Sequence, residues 1–400
     1  MKSIPGGTIT SPKGYVAGAI SAGLKTRGGL DLGILYSEVS CVAAGLFTTN
    51  RVKAAPVLWC QKHIAAGRAQ AIVANAGCAN ACTGEPGFED AAAMASLAAE
   101  RMGIAPQEVL VASTGVIGER LPIGLIGANM EKVALSQEGG HELAKAIMTT
   151  DTYPKEIAAA AEGGELGEII IGGIAKGAGM IHPNLATLLC FLTTDAAIDA
   201  HLLEKALGEA VDLSFNMITI DGDTSPNDTV LILANGLAGN KTIEEGTKEA
   251  DAFQAALTEV CTYLARRIAS EGEGATRLIE VTVDGALTLA DARLAARTIA
   301  GSPLVKAAVH GCDPNWGRIV AALGHSGAEI DESRIDLFLN NIRLVAEGLP
   351  HTFDKDKVRV AMGGAEVPIR VCLNLGDCAA TAWGCDLSAE YVTINSEYTT

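Results

Sequence analysis

Thr187 is the residue of this 400-residue chain whose setting could do chemistry. It follows Ala186 and stands between a glycine turn, "KGAG" at 176–179, and an apolar run, "TLLCFL" at 187–192. A threonine hydroxyl is a weak nucleophile until a base takes its proton, and one such base is a free α-amine on the same residue. That device needs the Ala186–Thr187 bond to be cut. A flexible turn ahead of a fixed strand lets the hydroxyl fold back on the preceding carbonyl, and alanine leaves that carbonyl uncrowded. A β-branched residue at a strand start is also ordinary by propensity. On spacing alone, a core threonine is the first reading.

Other candidates are polar or glycine-rich turns at the ends of apolar strands, where sites are usually built. They are "VASTGVIG" (111–118), "NAGCANACTG" (75–84), "DGDTSPNDT" (221–229), "SEGEGAT" (270–276) and the closing "INSEYTT" (394–400). Singly, each reads as a turn with its caps. "DGDTSPNDT" reads as a surface turn, since it lacks the glycine and distal glutamate placement of an EF-hand. His310, in "VHGCDPNWGR", reads as a packed or solvated histidine at a strand end. Cys78 and Cys82 are the one close cysteine pair, without a histidine or second pair nearby, so no metal is expected. No GxSxG, P-loop, HExxH or Rossmann fingerprint stands at a supporting position.

Alternating helix-like and strand-like segments must position these turns. Helices are predicted over 89–103, 140–148, 200–216, 249–274, 288–299 and 316–323. Strands are predicted over 108–113, 166–179 (running into the glycine turn), 187–195, 228–236, 278–283 and 304–309. The final 70 or so residues read mostly as strand, including "VRVAMGG" (358–364) and "AEYVTIN" (389–395). The class is mixed α/β or α+β, with substantial antiparallel sheet towards the end.

Hydrophobic residues are 48% of the chain and charged residues 19%, enough for packed cores in two or three domains or interleaved lobes. The net charge of −17, with no basic run longer than Arg266–Arg267, argues against nucleic acid and anionic membranes, which need clustered cations. No apolar stretch approaches a membrane span, and "MKSIPGGTITSPKGY" has no secretory apolar region, so the cytoplasm is the expected location. Ten dispersed cysteines fit a reducing compartment.

Taken together, "STGVIGERLP", "NAGCANACTG", "KGAGMIHPNLATLLCFLTTDA", "DGDTSPNDT", "EGEGATR", "HGCDPNWGRI" and "AWGCDLSAEYVTINSEYTT" resemble the ornithine acetyltransferase (glutamate N-acetyltransferase) family of arginine biosynthesis. The resemblance runs in order from "SPKGY" to the last residue. Ala76 and Cys78 depart from it, standing where the family pattern has serine and asparagine.

The resemblance implies a self-processing layered α/β sandwich of the ornithine acetyltransferase and aminopeptidase type. It implies a precursor cut into an α chain, residues 1–186, and a β chain, 187–400, which assemble as α2β2. The implied reaction moves acetyl from N2-acetylornithine to glutamate by a ping-pong route through Thr187. No cofactor is implied, although some members take acetyl from acetyl-CoA as co-substrate. Thr114 and Gly115 match the oxyanion pair; Thr150, Lys176, Thr187, Glu273, Asn395 and Thr400 match substrate-binding positions. The alternatives are a self-processing amidase or aminopeptidase, in which water replaces glutamate, and a non-catalytic amino-acid-binding protein.

Overall fold

The computed structural model describes residues 2–161, 167–182 and 188–397. Ala186, Thr187 and Thr400 lie outside the described residues. Within them the chain builds two mixed sheets. The larger runs β1 (Lys2–Ser3), β6 (Lys155–Ala161), β7 (Ile169–Lys176), β8 (Leu189–Thr194), β9 (Thr229–Ala234), β3 (Leu32–Phe47), β4 (Arg68–Cys78), β5 (Val109–Val116), with β2 (Tyr15–Ile20) also paired to β3. The second runs β13 (Leu349–Pro350), β12 (Ile342–Ala346), β11 (Asp336–Leu339), β14 (Glu366–Cys372), β10 (Leu278–Ala286), β15 (Cys378–Cys385). The pairs β4–β5, β8–β9 and β10–β14 are parallel, and the remaining neighbours in these orders are antiparallel.

Both faces of the larger sheet are covered. Helices α1 (Ala55–Ile64), α2 (Gly84–Met102), α3 (Ile123–Met130) and α4 (Gly140–Ala146) share a core with Ile174, Leu189, Phe191, Leu231 and Leu233. Helices α5 (Ala200–Leu213) and α6 (Lys248–Ser270) share another with Ile171, Cys190, Leu192, Val230 and Ile232. Alternate residues of β8 and β9 therefore bury into opposite cores, which is why these strands read as unbroken apolar runs. The second core continues into the smaller sheet and helices α7 (Leu289–Gly301), α8 (Pro303–His310) and α9 (Trp316–Gly324). Among the described residues, no helix is long and apolar enough to cross a membrane.

Three predicted strands are helices. Segment 304–309 lies in α8, where Pro303 opens the helix and the Ser302 hydroxyl accepts from the Val305 amide. "VRVAMGG" falls largely in α10 (Lys355–Met362), capped by Asp354. Its alternation misleads: Val358 and Met362, four apart, are buried, while Val360 is 80% exposed. "AEYVTIN" falls in α11 (Ala389–Glu397), where no side chain is fully buried. The same helix puts Tyr391 and Asn395 on one face, and the Asn395 amide donates to the Tyr391 carbonyl at 2.9 Å.

Candidate active site

A cleft of about 580 Å³, counted to its open mouth, is lined by Thr114, Gly115, Ile117, Thr149, Thr150, Lys176, Gly179, Met180, Ser225, Asn227, Glu273 and Asn395. That size admits an amino-acid ligand. Six of the positions singled out in the sequence, Thr114, Gly115, Thr150, Lys176, Glu273 and Asn395, thus surround one space, although they come from opposite ends of the chain.

Thr114 and Gly115 end β5, beside the turn at the end of β4. Gly115 has φ +130°, and a Cβ there would stand 2.3 Å from the Gly77 carbonyl carbon. Only glycine lets the two strand ends close up, so "STGV" and "NAGC" are halves of one feature. It is pinned from outside: the Asn227 amide donates to the Ala79 carbonyl at 2.7 Å and to the Ser113 carbonyl at 2.8 Å. Ser113 in turn donates to the Asn75 side-chain oxygen at 2.6 Å.

Lys176 ends β7 and is 2% exposed. Among the described residues its ammonium has one long hydrogen bond, 3.4 Å to the Thr149 hydroxyl. Burial, the largest influence, pulls Lys176 below the ordinary lysine range, and Lys155 adds to this while Asp151, Asp228 and Glu273 oppose it. Glu273 lines the same cleft, and its carboxylate accepts from the Asn395 amide at 2.7 Å. A Cβ on Gly179 would meet that carboxylate at 2.6 Å, so the glycine lets the loop pass against Glu273. The Glu273 amide donates to the Ala178 carbonyl at 2.8 Å, completing that seam.

Behind the cleft, Lys155 joins Asp151, at 2.6 Å, to Glu271. Asp151 also accepts from the Gly177 amide at 2.7 Å and the Thr149 amide at 3.1 Å. Glu271 accepts from the amides of Thr152 and Tyr153 at 2.7 and 2.8 Å. One ion cluster therefore ties together the loop bearing Thr149 and Thr150, the end of β7, and the turn bearing Glu273.

"DGDTSPNDT" is not a surface turn. Gly222 and Asp223 are exposed, but Ser225 to Thr229 are buried. The Asp221 carboxylate accepts from the Met180 and Ile181 amides at 2.6 and 3.0 Å, fixing the glycine loop. Asp228 is fully buried and accepts from the Leu188 amide at 2.9 Å, while the Thr229 amide donates to the Leu188 carbonyl at 3.0 Å. Thr149, Met180, Ser225 and Asn227 were not singled out individually from sequence. The available signal was the density of hydroxyl and amide side chains in a segment flanking a buried strand. His310 ends a helix rather than a strand and bonds the buried Asp386 at 2.8 Å, away from the cleft lining. Among the described residues, no three His, Cys, Asp or Glu side chains gather as a metal site requires.

A profile of the ArgJ family matches residues 16–400. The chain belongs to the ArgJ family. The arginine biosynthesis bifunctional protein ArgJ of Dehalococcoides mccartyi is 54% identical over 399 residues, covering 99% of this chain and 98% of that protein. Its counterpart in Symbiobacterium thermophilum is 54% identical over 398 residues, covering 98% and 99%. A crystal structure of arginine biosynthesis bifunctional protein argJ from Bacillus halodurans superposes with a TM-score of 0.51 at 43% identity, covering 52% of this chain and 98% of that one. The ArgJ match takes in every motif from which the resemblance was read. Ala76 and Cys78, where this ArgJ chain departs from the motif pattern, are both buried and outside the cleft lining.

Proposed function

We propose that this chain transfers acetyl from N2-acetylornithine to glutamate through an acetyl ester on Thr187, after cutting itself between Ala186 and Thr187. The observation that carries the reading is the convergence, on one amino-acid-sized cleft, of the Thr114–Gly115 strand end, a buried ammonium at Lys176 with one long hydrogen bond among the described residues, and a carboxylate at Glu273.

In the self-cut, the Thr187 hydroxyl oxygen attacks the Ala186 carbonyl carbon, the amide bond breaks, and its nitrogen takes a proton. Water then hydrolyses the resulting ester, leaving a carboxylate on Ala186 and a free hydroxyl and amine on Thr187. In transfer, that amine, of ordinary pKa ~8, takes the hydroxyl proton as the oxygen attacks the acetyl carbonyl. The carbon–nitrogen bond breaks and the same proton passes to the departing ornithine nitrogen. Glutamate's amine attacks the ester, and Thr187 recovers its hydroxyl proton through its amine as N-acetylglutamate leaves. The Thr114 hydroxyl or a backbone N–H at 114–115 serves the oxyanion. Lys176 pairs with the α-carboxylate common to both substrates. Glu273 pairs with ornithine's terminal ammonium, and Thr150, Asn395 and Thr400 complete the contacts.

The relatives' role in arginine biosynthesis supports the substrate class. The Bacillus halodurans chain, 98% covered by 52% of this one, supports a chain divided near its middle. We assign the two halves to an α2β2 assembly in the cytoplasm and include acetyl-CoA as an alternative donor. The test is glutamate acetylation with each donor supplied separately. Acetylornithine-dependent formation of N-acetylglutamate supports the reading. Release of acetate without glutamate acetylation would assign hydrolysis instead.

A further inference from the structure

A second opening lies along the same glycine loop. Met180 lines the substrate cleft, and His182, further along, lines a separate pocket of about 810 Å³, counted to its open mouth. Leu294, Arg297, Thr298 and Gly301 recur at helical spacing, so one stripe of α7 forms a wall of this pocket. The opposite stripe, Ala292, Ala295, Ala296 and Ile299, is buried in the core. Ser302 and His325 also line the pocket. In a chain of net charge −17, this lining holds an arginine, two histidines and two hydroxyls, and no acid.

Arg297 is half-buried, yet among the described residues it has no hydrogen bond or ion pair. Other half-buried arginines are bonded: Arg266 to Glu280, Arg277 to the His310 carbonyl and Arg343 to Asp336. Asp212, whose charge acts on Arg297, is already engaged by Arg293 at 3.9 Å and by the Asn216 amide at 2.8 Å. A guanidinium partly withdrawn from water with its donors unused costs free energy that a bound anion would recover. Burial pulls Arg297 below the ordinary arginine range, and Arg293 adds to this while Asp212 opposes it. His182 is likewise held below the ordinary histidine range, by burial first and then by Arg297, with Asp223 opposing. The two groups disfavour each other's charge, and an anion beside both reverses that. The histidines have nitrogen to spare. His182 Nδ1 lies 3.1 Å from the Thr219 hydroxyl and His325 Nδ1 2.9 Å from the Ala321 carbonyl, and among the described residues neither Nε2 has a partner.

We propose that this pocket binds a phosphate group, with Arg297 as its principal partner and His182, His325 and the hydroxyls of Thr298 and Ser302 as further donors. A phosphate presents more acceptor oxygens and more charge than a carboxylate, so it uses a guanidinium fork and several other donors at once. The pocket is also larger than a bare phosphate, and Leu294 and Pro303 give it apolar wall for an organic body. Inorganic phosphate and the phosphorylated end of a nucleotide carry the same chemistry. The proposal goes beyond acetyl transfer and does not depend on Thr187.

The experiment is calorimetric titration of the full chain, without substrates, with inorganic phosphate, adenosine monophosphate and adenosine. The expected result is saturable binding of a phosphate-bearing probe and none of adenosine. Arg297→Met should weaken that binding roughly tenfold or more, and His325→Gln severalfold, with the melting temperature of each empty variant little changed. Tighter binding of adenosine monophosphate than of phosphate assigns the site to an organic phosphate, and equal affinities assign it to the free anion. No saturable binding of either probe, or adenosine bound as tightly as its phosphate, overturns the proposal. So does wild-type affinity in a folded Arg297→Met. Lys176→Met is the control for the substrate cleft: binding that it abolishes and Arg297→Met preserves belongs to that cleft and not to this pocket. Should Arg297→Met not fold, His325→Gln decides, since His325 is exposed, and unchanged affinity there overturns the proposal. None of these readouts involves turnover, so failure here leaves the acetyl-Thr187 reading as it stands.

Discussion

Lys155 and Lys176 are buried lysines on adjacent strands, with Lys155 paired across to Ala175. Their surroundings differ sharply. Lys155 bridges Asp151 and Glu271 and lies 5.4 Å from the Tyr153 ring centre. Burial works to lower it, but the two carboxylates overcome that and raise it above the ordinary lysine range. Lys176, as deep, has among the described residues a single hydrogen bond, of 3.4 Å, and is held below that range, chiefly by burial. A completed polar cluster supports the fold; an incomplete one facing a cleft is provisioned for a ligand.

The comparison breaks most visibly at Lys155. Lys155→Met strands Asp151 and Glu271 without their cation and should cost about 3–5 kcal/mol of stability, read by denaturant or thermal unfolding. An unchanged unfolding midpoint would show that the cluster does not support the fold. The acid side carries the same signature. Burial tends to raise Asp151, yet Lys155 and Lys176 hold it below the ordinary carboxylate range. A depressed carboxyl contributes stability above its unfolded pKa of ~3.9, lost as pH falls through the folded value. Wild-type stability should therefore drop below about pH 4, and Lys155→Met should flatten that drop.

Thr114→Ala probes the strand end that the ion cluster leaves untouched. If the hydroxyl serves the oxyanion, kcat falls by roughly 10²–10³ with little change in unfolding midpoint. Unchanged turnover in fully cut protein would leave that role to backbone N–H groups. Lys176→Met should raise KM for both substrates, by the equivalent of about 1.5–3 kcal/mol, without lowering stability. The sign follows from its lowered pKa. Between the folded value and the unfolded ~10.4 the unfolded chain keeps the proton and the folded chain has lost it, so stability rises with pH there. Below that window the buried charge is a net cost that methionine removes. A Lys176→Met protein as destabilised as Lys155→Met would erase the distinction between the two lysines. The smallest effect belongs to Asn395→Ala, which removes the 2.7 Å bond to Glu273. It should raise KM for acetylornithine severalfold, about 1 kcal/mol, with self-cutting unimpaired.

Much of this was legible in the residues. Long periodic helices such as α6, and the doubly buried strands β7 to β9, announce themselves by pattern. The misread segments are short: six to seven residues with alternating apolar positions fit a strand and a two-turn helix alike, and Pro303 or Asp354 as a helix start decided two of them. The site was readable only where a motif carried it. Asp151, Lys155 and Glu271 gave no sign, since their partnership depends on three loops meeting in space. "DGDTSPNDT" looked like a solvated turn because nothing local shows that Asn227 reaches Ser113 or that Asp228 holds Leu188.

The most direct test of the central claim is the mass of the purified enzyme after incubation with acetylornithine in the absence of glutamate. The account predicts two chains, divided before Thr187, with one acetyl group on the chain that begins at Thr187. That acetyl should leave as N-acetylglutamate when glutamate is added. An enzyme that turns over normally as one uncut chain, or that never carries acetyl on Thr187 while the reaction proceeds, would contradict it.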